Sequence, residues 1–264
     1  MLFINTRPTE RAQALTQCLA QAHFDVIDLP ILGLRAKAFD MTLAQNYQAL
    51  FAAQVLVVVS PTAVDVGMQY LQQAGLILEN LQHLQWIAVG KKTASVLAEY
   101  GIESLVPEVE TSEGMLSLPI FKTLENIHTV AFWRGEGGRQ FMMQECAENN
   151  IEILNFVLYE RFFPIETIEK FPQIAQRLLS ADVLQYAPYW VGISSEASWK
   201  NWIVLCQNYP KLLNECHYLV LGERLYRLLN NDKNVFKLNY AVSALVDLDP
   251  ETVCNTIHEL QRTL

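Results

Sequence analysis

The sequence predicts an α/β protein made of two doubly wound parallel-sheet domains. Three observations carry that prediction. Short apolar, β-branched runs alternate with segments of helical spacing from end to end, the pattern of repeated βα units. The apolar runs end in glycine, serine or proline turns that open helices. About ten such runs are present, more than one open sheet usually holds. The turns also recur in loose pairs: Val59-Ser60-Pro61-Thr62-Ala63 with Ser194-Ser195-Glu196-Ala197, and Ala88-Val89-Gly90-Lys91-Lys92-Thr93 with Val220-Leu221-Gly222-Glu223-Arg224-Leu225.

In chain order, Leu2 to Asn5 reads as a strand. Arg11 to Ala22 reads as a helix, with Ala14, Leu15, Cys18, Leu19 and Ala22 on one side and Thr9 as its N-cap. Phe24 to Leu32 is extended. Val55 to Val59 has the composition of a buried parallel strand, and Ser60-Pro61-Thr62 ends it and starts a helix. Trp86 to Val89 is a strand, Gly90 its turn, and Thr93 to Tyr100 a helix. Ser104 to Val106 is a short strand. Thr111-Ser112-Glu113-Gly114 reads as a helix cap. Val130 to Phe132 leads into a glycine turn and a helix from Gln140 to Ala147. Ile153 to Tyr159 is extended, and Glu166 to Leu179 helical. Tyr189 to Ser194 is a strand before a helix at Ala197 to Gln207. Tyr218 to Leu221 ends at Gly222. Val235 to Leu238 reads as the last strand, and Glu251 to Leu264 as the terminal helix.

Composition narrows the function classes. The chain has 264 residues, 51% hydrophobic and 18% charged, enough to bury a good core. The net charge of −9 argues against nucleic acid as the main partner and gives no general attraction for anions. An anionic ligand must therefore be held by local amides and a few arginines. No apolar run approaches the ~18 residues of a membrane span, and no leader pattern opens the chain, so a cytoplasmic protein is expected. The five cysteines and five histidines are dispersed, with no Cys-x-x-Cys. That pattern predicts reduced thiols and no metal site.

The segment Arg134-Gly135-Glu136-Gly137-Gly138-Arg139 places a glycine turn between a buried strand and a helix N-terminus. Such a turn offers backbone N–H groups and the positive end of a helix dipole, flanked here by two arginines: a seat for an anion. The alternative is a tight turn with solvent-facing arginines. A dinucleotide fingerprint fails, because Gly135 and Gly137 fit but position 140 is Gln; no phosphate-binding Gly-x-x-x-x-Gly-Lys loop occurs. In doubly wound folds ligands sit beyond the carboxyl ends of the strands. Two domains facing one another are expected to line a cleft with those edges.

Taken together, Thr6-Arg7-Pro8, Ser60-Pro61 with Ala63-Val64, Ala88-Val89-Gly90 with Thr93-Ala94, Thr111-Ser112-Glu113-Gly114, the glycine turn and Leu158-Tyr159-Glu160-Arg161 resemble the uroporphyrinogen-III synthase family in order and spacing. The resemblance is poorer after about residue 185, where Glu196 stands in place of a frequent Pro and Leu225 in place of a frequent Thr. It implies two α/β domains joined by a two-stranded linker. The first would comprise residues 1–36 plus 163–264, and the inserted one residues 37–162. It also implies a cofactor-independent lyase of tetrapyrrole (heme) biosynthesis. That enzyme cyclises hydroxymethylbilane to uroporphyrinogen III, with loss of water and inversion of the last pyrrole.

The resemblance makes Tyr159 the candidate general acid, against the bland reading of a tyrosine packed at a domain edge. A phenol is protonated at neutral pH, as an acid must be. The candidate substrate-binding residues are Arg7, Ser60, Thr93, Ser112, Arg134, Gly137, Gly138, Arg139, Ser194, Ser195 and Gly222. For Ser60, Thr93 and the Thr111–Ser112 pair the competing role is helix capping, worth about 1 kcal/mol. The expected partner is a linear tetrapyrrole, with no nucleic acid or membrane, and the expected state a monomer. The alternative function is a non-catalytic tetrapyrrole- or small-anion-binding protein of the same fold.

Overall fold

The computed structural model describes residues 1–122, 127–137 and 140–262. The chain divides into two compact units, Met1–Gly33 with Phe162–Leu264, and Leu34–Arg161.

The ten strands are β1 (Leu2–Asn5), β2 (Asp25–Asp28), β3 (Gly33–Ala36), β4 (Val55–Val58), β5 (Gln85–Ala88), β6 (Thr129–Gly135), β7 (Glu152–Phe162), β8 (Tyr189–Ile193), β9 (Cys216–Leu221) and β10 (Ala241–Leu245). They form two five-stranded sheets, in the orders β10-β9-β8-β1-β2 and β3-β7-β6-β4-β5. Every neighbouring pair of the first sheet is parallel. In the second, β4–β5, β4–β6 and β6–β7 are parallel.

Both sheets are covered on both faces, and the strand alternation shows why. In β1, Leu2 and Ile4 point to one buried cluster and Phe3 to another. In β8, Tyr189, Val191 and Ile193 face the first cluster and Trp190 the second. In the other unit Leu56, Val58, Ala131 and Trp133 pack on one face, and Val55, Val57, Val130 and Phe132 on the opposite one. Successive side chains point to opposite faces, so a strand apolar at every position needs helices on both sides. Leu15 and Leu19 of the helix Thr9–Gln21 and Val253 and Ile257 of Pro250–Gln261 cover one face of the first sheet. Trp199 and Trp202 of Glu196–Cys206 cover the other.

Several elements differ from expectation. Val235 to Leu238 is not a strand. Val235 closes the helix Gly222–Val235, and Val235 and Phe236 are 62% and 63% exposed. Lys237, at φ 52°, turns the chain back, and the edge strand is β10. Ser104 to Val106 makes a single bridge, Leu105 to Ile87, instead of a strand. Thr9 begins its helix without capping it; Pro8 holds the cap position. The helix Met41–Ala49, capped by Asp40 Oδ1 accepting from Leu43 N–H at 2.8 Å, has no counterpart in the sequence expectation.

Candidate active site

In the unit Leu34–Arg161 the parallel arrangement puts the ends of β7, β6, β4 and β5 in one row. Along it lie Tyr159, the turn from Arg134 to Gly137, Ser60, and the Gly90–Thr93 turn. The centre of the row is a pair of hydroxyls: Ser60 Oγ and Tyr159 Oη are 2.9 Å apart. Ser60 is the N-cap of the helix Pro61–Gln73, and its Oγ accepts from Ala63 N–H at 3.1 Å. The cap fixes the serine rotamer, so the hydroxyl is held at a rigid strand-to-helix junction.

Tyr159 reaches Ser60 because of a break in register. Arg134 pairs with Val157, but Gly135 pairs with Tyr159, so β7 carries one extra residue there. A regular strand would send Leu158 and Tyr159 to opposite faces. The bulge instead leaves Phe156, Leu158 and Tyr159 all in the same buried cluster. Gly135 makes the room: a Cβ there would lie 2.5 Å from Tyr159 Cε2 and Cζ and 2.9 Å from Oη. The phenol ring is held on the glycine backbone and is 5% exposed.

Arg134 is buried, and its guanidinium donates to the Gly137 carbonyl, with Met143 Sδ 4.0 Å away. For Arg134 this overturns the alternative of a solvent-facing arginine at this turn. Burial lowers the Arg134 pKa, and the neighbouring Tyr159 opposes that shift. Gly137 has φ +73°, which favours glycine, and an added Cβ there would meet open space. Glu136 N–H donates to the Tyr159 carbonyl at 2.7 Å, and the Glu136 carboxylate pairs with Lys37 at 3.1 Å. Gly138 and Arg139 lie outside the described residues.

Thr93 is not a cap. Gly90 caps the helix Lys91–Glu99, and Thr93, its third residue, is 2% exposed. The helix N-terminus is already met by a carboxylate that sequence reasoning missed: Glu110 Oε1 accepts from Lys91 N–H at 2.9 Å. A Cβ at Gly90 would lie 2.2 Å from Glu110 Oε2, so a larger residue there would displace this carboxylate. Nothing in the local sequence pairs residues 90 and 110; only a single bridge and a turn bring them together. Ser112 is the first residue of the short helix Ser112–Leu116, whose cap is Thr111, with Oγ1 accepting from Gly114 N–H at 3.1 Å.

In the other unit Arg7, Ser194, Ser195 and Gly222 follow the carboxyl ends of β1, β8 and β9, which are neighbours in the sheet. Asn5, buried at the end of β1, donates to Ala12 O at 3.2 Å and to Thr16 Oγ1 at 2.9 Å, and so pins the turn that carries Arg7. Arg7 Nη1 donates to Leu248 O at 3.3 Å; burial and the charge of Arg11 lower its pKa. Ser195 caps the helix Glu196–Cys206 in a closed capping box with Ser198, with Oγ to Oγ 3.0 Å. Glu196, at the first position of that helix, pairs with Lys200 at 2.9 Å and with Arg224 at 3.5 Å. Leu225 is core, 3% exposed. Gly222 has φ +74°, with open space where a Cβ would be.

A cavity of about 390 Å³ in this unit is lined by Glu10, Asp28 and Glu166 with Lys170. The carboxylates in its lining do not suit an anion. Among the described residues no cluster of three or more His, Cys, Asp or Glu is placed to hold a metal, and no helix is long and apolar enough to cross a membrane.

Two doubly wound units, each with hydroxyls, arginines and glycine turns beyond its strand ends, define a class of α/β protein suited to a small polar ligand. A sequence model of the family described as uroporphyrinogen-III synthase HemD matches residues 13–241. The chain belongs to the uroporphyrinogen-III synthase family. Its fold is similar to that of a mutant uroporphyrinogen III synthase from Thermus thermophilus, with TM-score 0.64 and 14% identity over 99% of each chain. The Helicobacter pylori enzyme matches at TM-score 0.56 and 12% identity, over 98% of this chain and 100% of that one.

Proposed function

We propose that the chain carries the activity of its family: it closes hydroxymethylbilane to uroporphyrinogen III with loss of water and inversion of the last pyrrole, as a lyase without cofactor. The observation that carries the reading is the hydroxyl pair of Tyr159 and Ser60 at 2.9 Å, set on a bulge and a glycine cradle at a strand end. In this reading the C–O bond of the hydroxymethyl group breaks with its electrons going to oxygen. The Tyr159 phenol supplies the proton that makes the departing hydroxide water. The last pyrrole then attacks the stabilised carbocation through the α-carbon that carries its bridge. That bridge bond breaks and re-forms at the ring's free α-carbon, which inverts the ring, and the proton lost from that carbon restores the Tyr159 phenol. General acid help of this kind is worth about 10²–10⁴-fold. The larger task is holding one folded geometry, so that the ring closes with inversion and not without it.

The substrate is rich in carboxylates. We assign them to Arg7, to the glycine turn of Arg134, Gly137, Gly138 and Arg139, and to backbone N–H groups at the Ser60, Ser112, Ser194 and Gly222 turns. Thr93 and Ser195 act there through the turns they build, because the first is buried and the hydroxyl of the second is committed to Ser198. Incubation with enzymatically generated hydroxymethylbilane tests the proposal: type-III product above the spontaneous type-I background is expected, unaffected by a chelator. Activity lost on chelation and restored by a metal would refute cofactor independence.

A second reading, a non-catalytic tetrapyrrole- or anion-binding protein, is favoured by one observation. Glu196 puts a carboxylate of the chain itself on the helix N-terminus after β8. Product binding without type-III formation would select it.

A further inference from the structure

We propose that Ser60 is a positioning residue that aims the Tyr159 proton, acting as a donor to the phenol oxygen and not only as a helix cap. The inference rests on the reading of Tyr159 as proton donor.

The hydrogen-bond inventory of the pair carries the argument. Ser60 Oγ has one hydrogen and two lone pairs. One lone pair accepts from Ala63 N–H at 3.1 Å, which fixes the serine rotamer. Among the described residues its other partner is Tyr159 Oη at 2.9 Å, to which it can either donate its hydrogen or offer its second lone pair. Two arrangements satisfy the contact. If the phenol donates to Ser60, its proton is spent inside the protein. If Ser60 donates to the phenol, the phenolic hydrogen, which stays near the ring plane, points away from Ser60. It is then presented to a ligand oxygen.

The second arrangement also suits the moment of transfer. When the phenol proton passes to the departing hydroxide, the oxygen left behind carries negative charge. Ser60 O–H is already directed at it, and the Arg134 guanidinium is close enough for the two groups to feel one another. A donor aimed at developing charge favours the transition state over the ground state. No bond to Ser60 is made or broken, and it returns the same proton arrangement after each turnover. The geometry is fixed from both sides: the serine by its cap, the phenol by the bulge and by Gly135, whose missing Cβ leaves the ring its place.

The test separates donation from capping. Ser60→Asp keeps a good helix cap but can only accept a hydrogen bond. It should hold the phenol proton inward. Ser60→Thr keeps both cap and donor. Each is made alone and in the Tyr159→Phe background. Turnover is read at saturating hydroxymethylbilane, so that charge repulsion by Asp appears in KM and not in kcat, and thermal midpoints check folding. Expected are a fall in kcat for Ser60→Asp as large as that for Tyr159→Phe, roughly ten- to a thousand-fold, recovery of most of the rate in Ser60→Thr, and no further fall when Asp is added to the Phe variant. Wild-type kcat in Ser60→Asp beside a slow Tyr159→Phe overturns the role of Ser60 and leaves Tyr159 as the acid. An equal fall in both backgrounds also overturns it, because Ser60 would then act independently of the phenol. Wild-type kcat in Tyr159→Phe removes both assignments.

Discussion

The two sheets end alike and are finished differently. At the ends of β4 and β6, alongside β7, the chain brings two hydroxyls together over a glycine and leaves them facing one another. Beyond β8 the equivalent turn is closed on itself: Ser195 and Ser198 satisfy each other, and Glu196 sits on the helix end between Lys200 and Arg224. The same βα turn can thus hold polar groups ready for a ligand or use them up internally. What decides is whether neighbouring residues supply the partners. Glu110 at the Lys91 N–H shows that even the first unit fills one of its helix ends with its own carboxylate.

The strongest way to break this contrast is Gly135→Ala. A Cβ would lie 2.5 Å from two ring atoms of Tyr159, so the phenol must leave Ser60. Loss of turnover at least as large as that of Tyr159→Phe is expected, with destabilisation of about 1–3 kcal/mol from overpacking, both read on one preparation by product assay and urea unfolding. Gly192→Ala is the counterpart in the other sheet: its Cβ would come no nearer than 3.3 Å to Phe3 Cζ, and a smaller loss of stability and no comparable loss of rate are expected.

Tyr159→Phe comes next. It removes one oxygen and keeps the ring, so packing is nearly preserved. Type-III formation should slow by roughly ten- to a thousand-fold while product affinity changes little. Unaltered turnover with an unaltered type-III to type-I ratio would leave positioning alone to explain the reaction.

The two units should also differ in acid. His217 is buried, stacked on Trp190 at 4.4 Å, with Nε2 2.9 Å from Ser243 Oγ. Burial pushes its pKa down to about 4 from the ordinary 6.5. Below pH 6.5 the unfolded chain takes up a proton that the folded one refuses. Stability therefore falls as pH drops through this window and levels off below about 4. The loss is on the order of 3 kcal/mol at most. Hydrogen exchange should show the unit containing β9 opening first, and His217→Asn should flatten the slope. The histidines described in the other unit, His83 and His128, are exposed.

The smallest effect is expected at Glu196→Gln. Removing the carboxylate frees the helix end after β8 for a substrate carboxylate, and binding of the anionic product should tighten by roughly two- to five-fold. Weaker binding would show that Glu196 orders the turn instead of blocking it.

The sequence by itself determined the parallel α/β class and much of the turn chemistry. Continuous apolar runs such as Leu2–Ile4 and Val55–Val58 demand cover on both faces, and Ser60-Pro61 is a complete helix-start signal within two residues. Once such units are parallel, their turn residues must collect at the carboxyl ends, so Arg7, Ser60, Gly137, Ser195 and Gly222 fall on sheet edges with no further information. Tertiary structure alone decided the rest. The direction of Tyr159 depends on a register shift between β6 and β7, a property of the pair that neither strand encodes. The choice of Ala241–Leu245 over Val235–Leu238 as edge strand went against the more β-prone run, because Val235 and Phe236 lie on an exposed helix end and Lys237 turns out of it. One helix end is met by a carboxylate arriving from elsewhere, Glu110 at Lys91, and Glu196, at the start of its own helix, is met by Arg224 from the helix Gly222–Val235. Local signals fix where a turn is, because they act over a few residues; what the turn has left to offer depends on contacts that only packing brings within reach.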